Sequence, residues 1–484
     1  MSNDDQPRSR PPTSVESKRY SPAAEGLLRL DPRSLPSLVT PIPGPESQAW
    51  LRRLKAVESP NVTAVASDFP VVWQQARGGA IRDVDGNVFV DATSAFGVAL
   101  LGHGPEEVRA AVHRQTDALL HGMGDVHPPA VRIALLEKLN EVAPADLTGA
   151  VLCGGGAEAV EVALKTALLA SGKPGVLAFS GAYHGLGHGA LDVTARRDFR
   201  FPFAAQLAGN TVWVPFPHPL RPPVGVALDD LLAHTLARVE EHLSHPAMGG
   251  VPIGAVLVEP IQGRGGTLIP PLGFLPGLRQ LCDRHGVLLI VDEIYTGCCR
   301  TGSWFACSAE GVVPDILCVG KALGGGLPIG ACLGRPHIMA HWGESRGEAL
   351  HTSTFLGHPL AAAAALASLN ALQDQGMAAV ALAQGAAWLA ELGAAVGDHP
   401  AVLQVRGRGL MLGVELRDWQ GMPAGDRAWQ VVTGCLRRGV VVLPCGTRGE
   451  VIQLTPPAVL TEEQRACVVA ALAGALADTG DRDG

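Results

Sequence analysis

The 484-residue sequence is poor in the features that mark several large classes of protein. Aromatic residues make up 5% of the chain and the basic residues form no cluster, which argues against a nucleic-acid-binding surface. No apolar run approaches the roughly 18 unbroken residues that a membrane-spanning helix requires. The net charge of -8 is compatible with many small-molecule substrates and selects none of them. We therefore expect neither a nucleic acid nor a membrane as partner.

The ten cysteines lack the spacing of a disulfide framework or of a zinc site. Cys298 and Cys299 are adjacent, and no pair of CxxC elements occurs. His184 and His188 are four residues apart, but the glycines between them disfavour a helix and no third ligand is evident. We therefore predict no metal, and we expect reduced thiols and a cytoplasmic protein.

The first 45 residues are rich in proline, serine and charged residues and lack the apolar core of a secretory signal. They predict a loosely ordered N-terminal extension over 1–45. The sequence leaves open whether residues 24–30 add a short helix.

The rest of the chain alternates strand and helix patterns, which favours an α/β fold. Over 104–373 this alternation predicts a large domain with a mostly parallel central sheet flanked by helices. Two short strands joined by an Asp-Gly turn are expected in Ala80–Asp91, within 46–103. We expect 46–103 and 374–484 to form a smaller α+β domain from both chain ends.

The last helix of the chain has a recognisable start. Thr461 is followed three residues later by Gln464, ahead of an apolar run. This spacing predicts a capping box, in which the two side chains bond the backbone N–H groups at the helix start.

Lys321 is the candidate reactive residue. A buried-looking strand precedes it and three glycines, Gly324–Gly326, follow it. An apolar site destabilises a charged amine and lowers its pKa, which makes the amine nucleophilic toward an aldehyde. Lysines are generally exposed, but these neighbours favour the reactive interpretation over an ordinary surface lysine. Upstream, the β-favouring run 286–291 ends at the carboxylate of Asp292, at the end of a predicted central strand.

A glycine-rich turn, Gly154–Ala157, follows a short strand and opens a helix. Its N–H groups then lie at a helix N-terminus, where a phosphate binds well, and glycine lets the anion approach closely. The alternative is a turn that serves packing alone.

Six motifs arrive in an order that is specific to one family. They are Val151–Glu161, Gly181–Gly185, Val258–Gly263, Val291–Gly297, the Lys321 segment and His351–Pro359. From about Val72 to Leu366 the chain resembles the class III pyridoxal phosphate (PLP) aminotransferases of fold type I, the ornithine and 4-aminobutyrate aminotransferase group.

This resemblance implies a homodimer with a shared active site and PLP as cofactor. Lys321 would form the Schiff base with PLP and act as the base in catalysis, and Asp292 would keep the pyridine nitrogen protonated. Tyr183 would stack on the ring. The same motifs imply that Gly156 and Ala157 bind the phosphate, together with Thr354 from the neighbouring subunit. Tyr295 would lie near the cofactor's O3′. Ser353 and Glu259 would lie in the substrate-binding part of the site.

Two departures from the family concern the substrate. Many relatives have a glutamate where this chain has Arg264, and an arginine that binds the substrate carboxylate where it has Gln453. Arg264 is therefore a candidate carboxylate anchor, since a guanidinium can bind a carboxylate through two hydrogen bonds. The alternative is a solvated or structural arginine. Arg448 is a weaker second candidate.

We expect amino transfer between an amino acid or amine donor and a 2-oxo acid acceptor. Racemases, decarboxylases and an aminomutase share this scaffold, so these reactions remain alternatives. A catalytically silent structural or regulatory protein is a remote alternative, since Lys321 and Asp292 are both present.

Overall fold

The computed structural model describes residues 29–245, 250–418 and 420–479. Its helices, in chain order, are α1 (Pro45–Val57), α2 (Ser94–Gly97), α3 (Glu106–Ala118), α4 (Ala130–Val142), α5 (Gly156–Ser171), α6 (His188–Asp192), α7 (Arg197–Arg200), α8 (Leu231–Ser244), α9 (Phe274–His285), α10 (Pro336–Met339), α11 (Pro359–Asp374), α12 (Met377–Val396), α13 (Gly425–Leu436) and α14 (Glu462–Ala477). Its strands are β1 (Trp73–Arg77), β2 (Ala80–Asp83), β3 (Val88–Asp91), β4 (Gly149–Cys153), β5 (Gly175–Phe179), β6 (Thr211–Val214), β7 (Ile253–Val258), β8 (Leu288–Asp292), β9 (Ile316–Val319), β10 (Gly330–Gly334), β11 (Val402–Arg408), β12 (Met411–Leu416), β13 (Val440–Val441), β14 (Leu443–Cys445) and β15 (Val451–Leu454).

The central sheet has seven strands in the order β4-β10-β9-β8-β7-β5-β6. The strands from β9 to β6 pair in parallel throughout. β10 runs antiparallel to both of its neighbours, β4 and β9. The predicted α/β fold with a mostly parallel central sheet is therefore confirmed.

Helices cover both faces of this sheet, which is why its central strands are apolar along their whole length. Successive residues of a strand point to opposite faces. Ile290 of β8 accordingly packs with Ala163 of α5 on one face. Leu289 and Leu278 of α9 belong to the core on the other face. Because both faces are buried, the ends of the strands are what the sheet presents to a ligand.

There are two four-stranded sheets in the described residues: β1-β2-β3-β13 joins strands from both chain ends, and β11-β12-β15-β14 is formed by the C-terminal part alone. The predicted hairpin is confirmed: β2 and β3 are antiparallel, and Gly86 between them has φ +90°. β13 runs parallel to β3, with Val440 opposite Val90. The first and last parts of the chain thus share one sheet, while the residue limits of the two domains stay predictions.

The capping box at α14 forms as the sequence predicts. The Thr461 hydroxyl accepts a hydrogen bond from the Gln464 N–H at 3.2 Å, and the Gln464 side chain accepts one from the Thr461 N–H at 3.1 Å. Both groups are otherwise unpaired at a helix start, so the pair fixes where α14 begins.

The prediction of a loosely ordered extension is wrong for its described part, from residue 29 to the start of α1. Leu30 is buried, and Ser37 exchanges two backbone hydrogen bonds with Val88 of β3, at 3.0 and 2.8 Å. The Gln464 amide also donates to the carbonyl of Pro32 at 3.1 Å. The segment is ordered because neighbouring elements satisfy its backbone. Residues 1–28, with most of the short helix considered above, lie outside the described residues.

One helix in the described ranges, α12, has the length and composition that would allow it to cross a membrane. Its buried residues include Ala381, Trp388 and Leu392, which recur at helical spacing on one face. α12 contacts β11 and α14, and Glu391 pairs with Arg465 of α14 at 2.9 Å. In this structure α12 packs as a helix of a folded domain, and its apolar character comes largely from alanine.

Candidate active site

A cavity of about 820 Å³ opens at the carboxyl ends of the parallel strands. Parallel strands end at the same edge, so residues far apart in sequence meet there. The cavity brings together eight of the ten predicted site residues: Gly156, Ala157, Tyr183, Glu259, Arg264, Asp292, Tyr295 and Lys321. The other two, Ser353 and Thr354, are exposed on this chain and do not line the cavity.

Lys321 directly follows β9 and Gly320 and begins a short 3-10 turn that runs to Gly324. Its φ is +46°, a backbone conformation that residues other than glycine rarely adopt. Nζ lies 4.3 Å from the centroid of the Tyr295 ring. Burial lowers the pKa of Lys321, and the nearby Asp292 and Glu259 carboxylates offset part of this shift. A lowered pKa leaves more of the amine neutral and nucleophilic near neutral pH.

Asp292 is the last residue of β8 and is almost fully buried. One carboxylate oxygen is 2.7 Å from Nδ1 of His184, and the other accepts a hydrogen bond from the Ile294 N–H at 3.0 Å. Both oxygens therefore have fixed partners, which orient the carboxylate in the cavity.

His184 is the site residue that sequence reasoning missed. It is buried beside Asp292, and its Nε2 has no hydrogen-bond partner among the described residues. His188, with which it was compared as a metal pair, is exposed and lies 3.1 Å from the Gln206 side chain. The position of His184 next to Tyr183, shortly after a strand that ends at the cavity, is the sequence feature that could have identified it as a site residue.

The glycine turn, which the sequence predicts to be an anion cradle, lies at the start of α5, and its role in binding a phosphate stays a prediction. α5 begins at Gly156, so the free N–H groups of its first turn lie beside the cavity. A Cβ at Gly156 would lie 2.9 Å from the Ile294 side chain, whereas a Cβ at Gly155 would meet nothing within 4 Å. A larger residue at position 156 would thus force Ile294 to shift, whereas Gly155 borders open space.

Glu259 joins two walls of the cavity. One carboxylate oxygen accepts from the Tyr183 N–H at 3.0 Å, and the other from the Gly263 N–H at 2.9 Å. Burial raises its pKa, while the His184 ring and these N–H groups act in the opposite direction. Its position in the cavity wall agrees with the sequence prediction, and its hydrogen bonds fix the two loops that carry Tyr183 and Arg264.

Tyr295 is oriented differently from the sequence expectation. Its hydroxyl donates to the side-chain oxygen of Gln453 at 2.9 Å, and burial raises its pKa to about 12. A phenol has one proton to donate, so this hydrogen bond removes the donor expected for the cofactor's O3′. The face of the Tyr295 ring, and not its hydroxyl, contacts Lys321 Nζ.

The apolar side of the cavity is formed by Phe96 and Val98. Ser94, Ala95 and Phe96 all have positive φ, between 47° and 63°, so α2 is a left-handed turn rather than a true helix. Such conformations persist only where neighbouring groups hold them. The Asp91 carboxylate accepts from the Ala95 N–H at 3.1 Å, which is one such restraint.

Arg264 lies in the cavity wall with its guanidinium carbon 5.6 Å from the centroid of the Tyr183 ring. Its Nε is buried without a hydrogen-bond partner, and no carboxylate in 29–245, 250–418 or 420–479 forms an ion pair with it. Arg448, the weaker candidate, is exposed and does not line the cavity.

The sequence profile of the family described as aminotransferase class-III matches residues 62–476. Since this match spans most of the chain, the protein belongs to the class III aminotransferase family. PLP is the cofactor of this enzyme family.

Individual relatives agree with this family but differ in reaction. An alanine/serine racemase of Pyrococcus horikoshii is 32% identical over 450 residues, covering 92% of this chain and 93% of that protein. A 4-aminobutyrate aminotransferase of Mycobacterium leprae is 35% identical over 447 residues, covering 88% of this chain and 94% of that protein. Among solved structures, an amine transaminase from an uncultivated Pseudomonas species in its PLP-bound form is 31% identical, with a TM-score of 0.79 over 87% of this chain and 98% of that one.

The cavity fits PLP in its charge and in its shape. The helix start at Gly156 suits a phosphate, and the oriented Asp292 carboxylate suits a protonated pyridine nitrogen. Tyr183 supplies an aromatic wall, and Lys321 supplies an amine with a lowered pKa. The unpartnered Nε2 of His184 lies in the same wall.

Lys321→Ala should prevent covalent attachment of PLP, because the cavity then lacks its amine. We expect borohydride treatment of PLP-loaded protein to add the cofactor's mass to the wild type but not to Lys321→Ala, as measured by intact-protein mass spectrometry. Lys55→Ala is a matched control, since Lys55 is exposed on α1. Labelling of another lysine in Lys321→Ala, at the wild-type level, would show that the assignment is wrong.

Proposed function

We propose that the enzyme moves an amino group between an amine or amino acid donor and a 2-oxo acid, with Lys321 as its reactive base. The observation that carries the proposal is the convergence of Lys321, Asp292 and the cradle at Gly156 in one cavity. Bound PLP supplies an electrophilic carbonyl carbon and an electron sink for this chemistry.

The residues of the chain then have distinct tasks. Lys321 Nζ would hold the cofactor covalently and, once released, would take the proton from the substrate carbon that bears the amino group and give it to the carbonyl carbon of the cofactor. Asp292, fixed by His184 and the Ile294 N–H, would keep a proton on the pyridine nitrogen. Phe96 and Val98 would contact the apolar part of a substrate.

A half-reaction distinguishes amino transfer from racemisation, the reaction named for the Pyrococcus relative. With an amino donor and no acceptor, a transferase should convert bound PLP to pyridoxamine phosphate and release the carbonyl product of the donor, a 2-oxo acid if the donor is an α-amino acid, in equal amount. Chromatography of the denatured supernatant measures both. Inversion of L-alanine or L-serine without this conversion would instead identify a racemase.

Arg264 is the proposed anchor for the substrate carboxylate. It is positively charged, lies in the cavity wall and has no carboxylate partner within the described residues. Gln453, at the position where many relatives have an arginine, is neutral. A substrate carboxylate in this cavity therefore finds a guanidinium on the Tyr183 side.

Arg264→Gln should raise KM for a carboxylate-bearing donor by more than tenfold, because a lost charge-assisted pair costs on the order of 2 to 5 kcal/mol. KM for a simple amine donor should change much less, and steady-state kinetics with both donors measure the difference. Arg448→Gln, which changes an exposed arginine outside the cavity, is the control. Equal changes for both donors in Arg264→Gln would argue for a structural arginine.

We further propose a homodimer in which Thr354 completes the phosphate site of the other subunit. Leu120, Met123, Val126, Leu350 and Phe355 are each 58% to 76% exposed on this chain. The two segments that carry them adjoin, since the His121 and Phe355 rings are 5.3 Å apart. An exposed apolar cluster of this kind is typical of a surface that a second copy covers.

Mixing inactive Lys321→Ala and Thr354→Ala chains tests the shared site. In a heterodimer both substitutions fall in one site, which leaves the other site intact, so part of the activity should return. Subunit exchange is verified by native mass spectrometry. Proven exchange without any recovery would mean that Thr354 acts within its own chain or has no role.

We place the enzyme in the cytoplasm. All ten of its cysteines are free thiols, and nine of them are buried, as expected for a protein kept in a reducing compartment. Activity and thiol content in fractionated cells would test this location.

A further inference from the structure

Arg264 is carried by a tightly fixed loop, Gly263–Thr267, between β7 and α9. The Arg264 carbonyl accepts from the Gly446 N–H at 3.0 Å and from the Arg196 guanidinium at 3.1 Å. Arg406 donates to the carbonyls of Gly266 and, at 2.9 Å, Thr267. The backbone of this loop is thus held by side chains from several distant segments.

Thr267 has a backbone conformation that needs such support. Its φ is +50°, in the left-handed region, which is rare for a β-branched residue. Strained residues of this kind persist where the surrounding structure over-determines them, and they cluster at functional sites. The Thr267 hydroxyl accepts a hydrogen bond from the Gln453 amide at 3.2 Å. Gln453 therefore holds the strained residue of the Arg264 loop.

The polar atoms of Gln453 are all occupied. Its Nε2 donates to the Gly263 carbonyl and to the Thr267 hydroxyl, both at 3.2 Å, which uses its two protons. Because the Gly263 carbonyl can only accept, Nε2 faces it, and the side-chain oxygen faces Tyr295, whose hydroxyl donates to it at 2.9 Å. Gln453 has no N–H left for a substrate carboxylate.

Tyr295, Gln453 and Arg264 all line the cavity. In the structure they form one connected unit: Tyr295 orients Gln453, and Gln453 fixes the two ends of the loop that carries Arg264. A neutral, fully occupied amide on β15 and an unpaired guanidinium on the loop have complementary consequences. The first leaves no free carboxylate site at Gln453, and the second supplies one on the loop that Gln453 contacts.

We infer that Gln453 and Tyr295 are positioning residues that set carboxylate specificity through Arg264. They hold the loop so that the guanidinium meets the carboxylate, and they do not touch the substrate carboxylate themselves. This inference rests on the proposed role of Arg264 but not on the reaction that follows binding.

A double-mutant cycle on ligand binding tests it. The probe is pentanoate, which has a carboxylate but no amino or keto group, and pentanamide is its neutral counterpart; calorimetry measures both on the PLP-loaded protein. Gln453→Leu should weaken pentanoate binding by about tenfold, which corresponds to the loss of one hydrogen bond. In an Arg264→Gln background, the same substitution should have almost no further effect. Pentanamide binding should stay unchanged in every variant.

The outcomes separate this inference from the proposed function. Additive losses from Gln453→Leu and Arg264→Gln would overturn it, since independent residues give additive effects. If Gln453→Leu weakened the binding of pentanoate and of pentanamide equally, that result would overturn the inference as well, because it would show that Gln453 has only a structural role. A non-additive cycle supports it whether or not amino transfer is observed.

Two further variants serve as a substitute and as a control in this experiment. If Gln453→Leu does not fold, Tyr295→Phe can replace it, because this substitution removes only the phenol hydroxyl. Tyr295→Phe should weaken pentanoate binding less than Gln453→Leu, and its effect should likewise be non-additive with that of Arg264→Gln. Gln430→Leu, on the exposed face of α13, is the matched control and should bind pentanoate as the wild type does.

Discussion

The parallel pairing of β5, β7, β8 and β9 is the constraint on which the site depends. Parallel strands end at one edge, so the residues that follow or finish them, Tyr183, Glu259, Asp292 and Lys321, converge without any local motif joining them. The helices on both faces keep this edge as the accessible part of the sheet. Lys321 then meets a desolvated environment because the strand before it is fully buried.

Much of this site could be predicted from the sequence because its signals are local. A buried strand followed by a lysine and glycines indicates Lys321, and a glycine turn before a helix indicates the anion cradle at Gly156. The hairpin at Gly86 and the capping box at Thr461 are encoded in the same way, by residues a few positions apart. Such signals do not need knowledge of the fold.

The parts that the sequence did not reveal depend on hydrogen bonds between distant residues. His184 and Asp292 are 108 positions apart, and Tyr295 and Gln453 are 158 apart. No spacing rule connects them, so His184 was considered only as a metal ligand and Tyr295 was expected to donate to the cofactor. The extension before α1 was misjudged for a related reason, because the partners that order Ser37 and Pro32 lie in β3 and α14.

The parallel pairing of β3 with β13 has a consequence for synthesis of the chain. Val90 leaves the ribosome early, whereas its partner Val440 follows only when translation is almost complete. During that interval the Val90 part of β3 exposes backbone N–H and C=O groups that another strand can pair with. A chain that stops before β13 lacks the strand that pairs with Val90 and leaves that edge of β3 open to pairing with another chain.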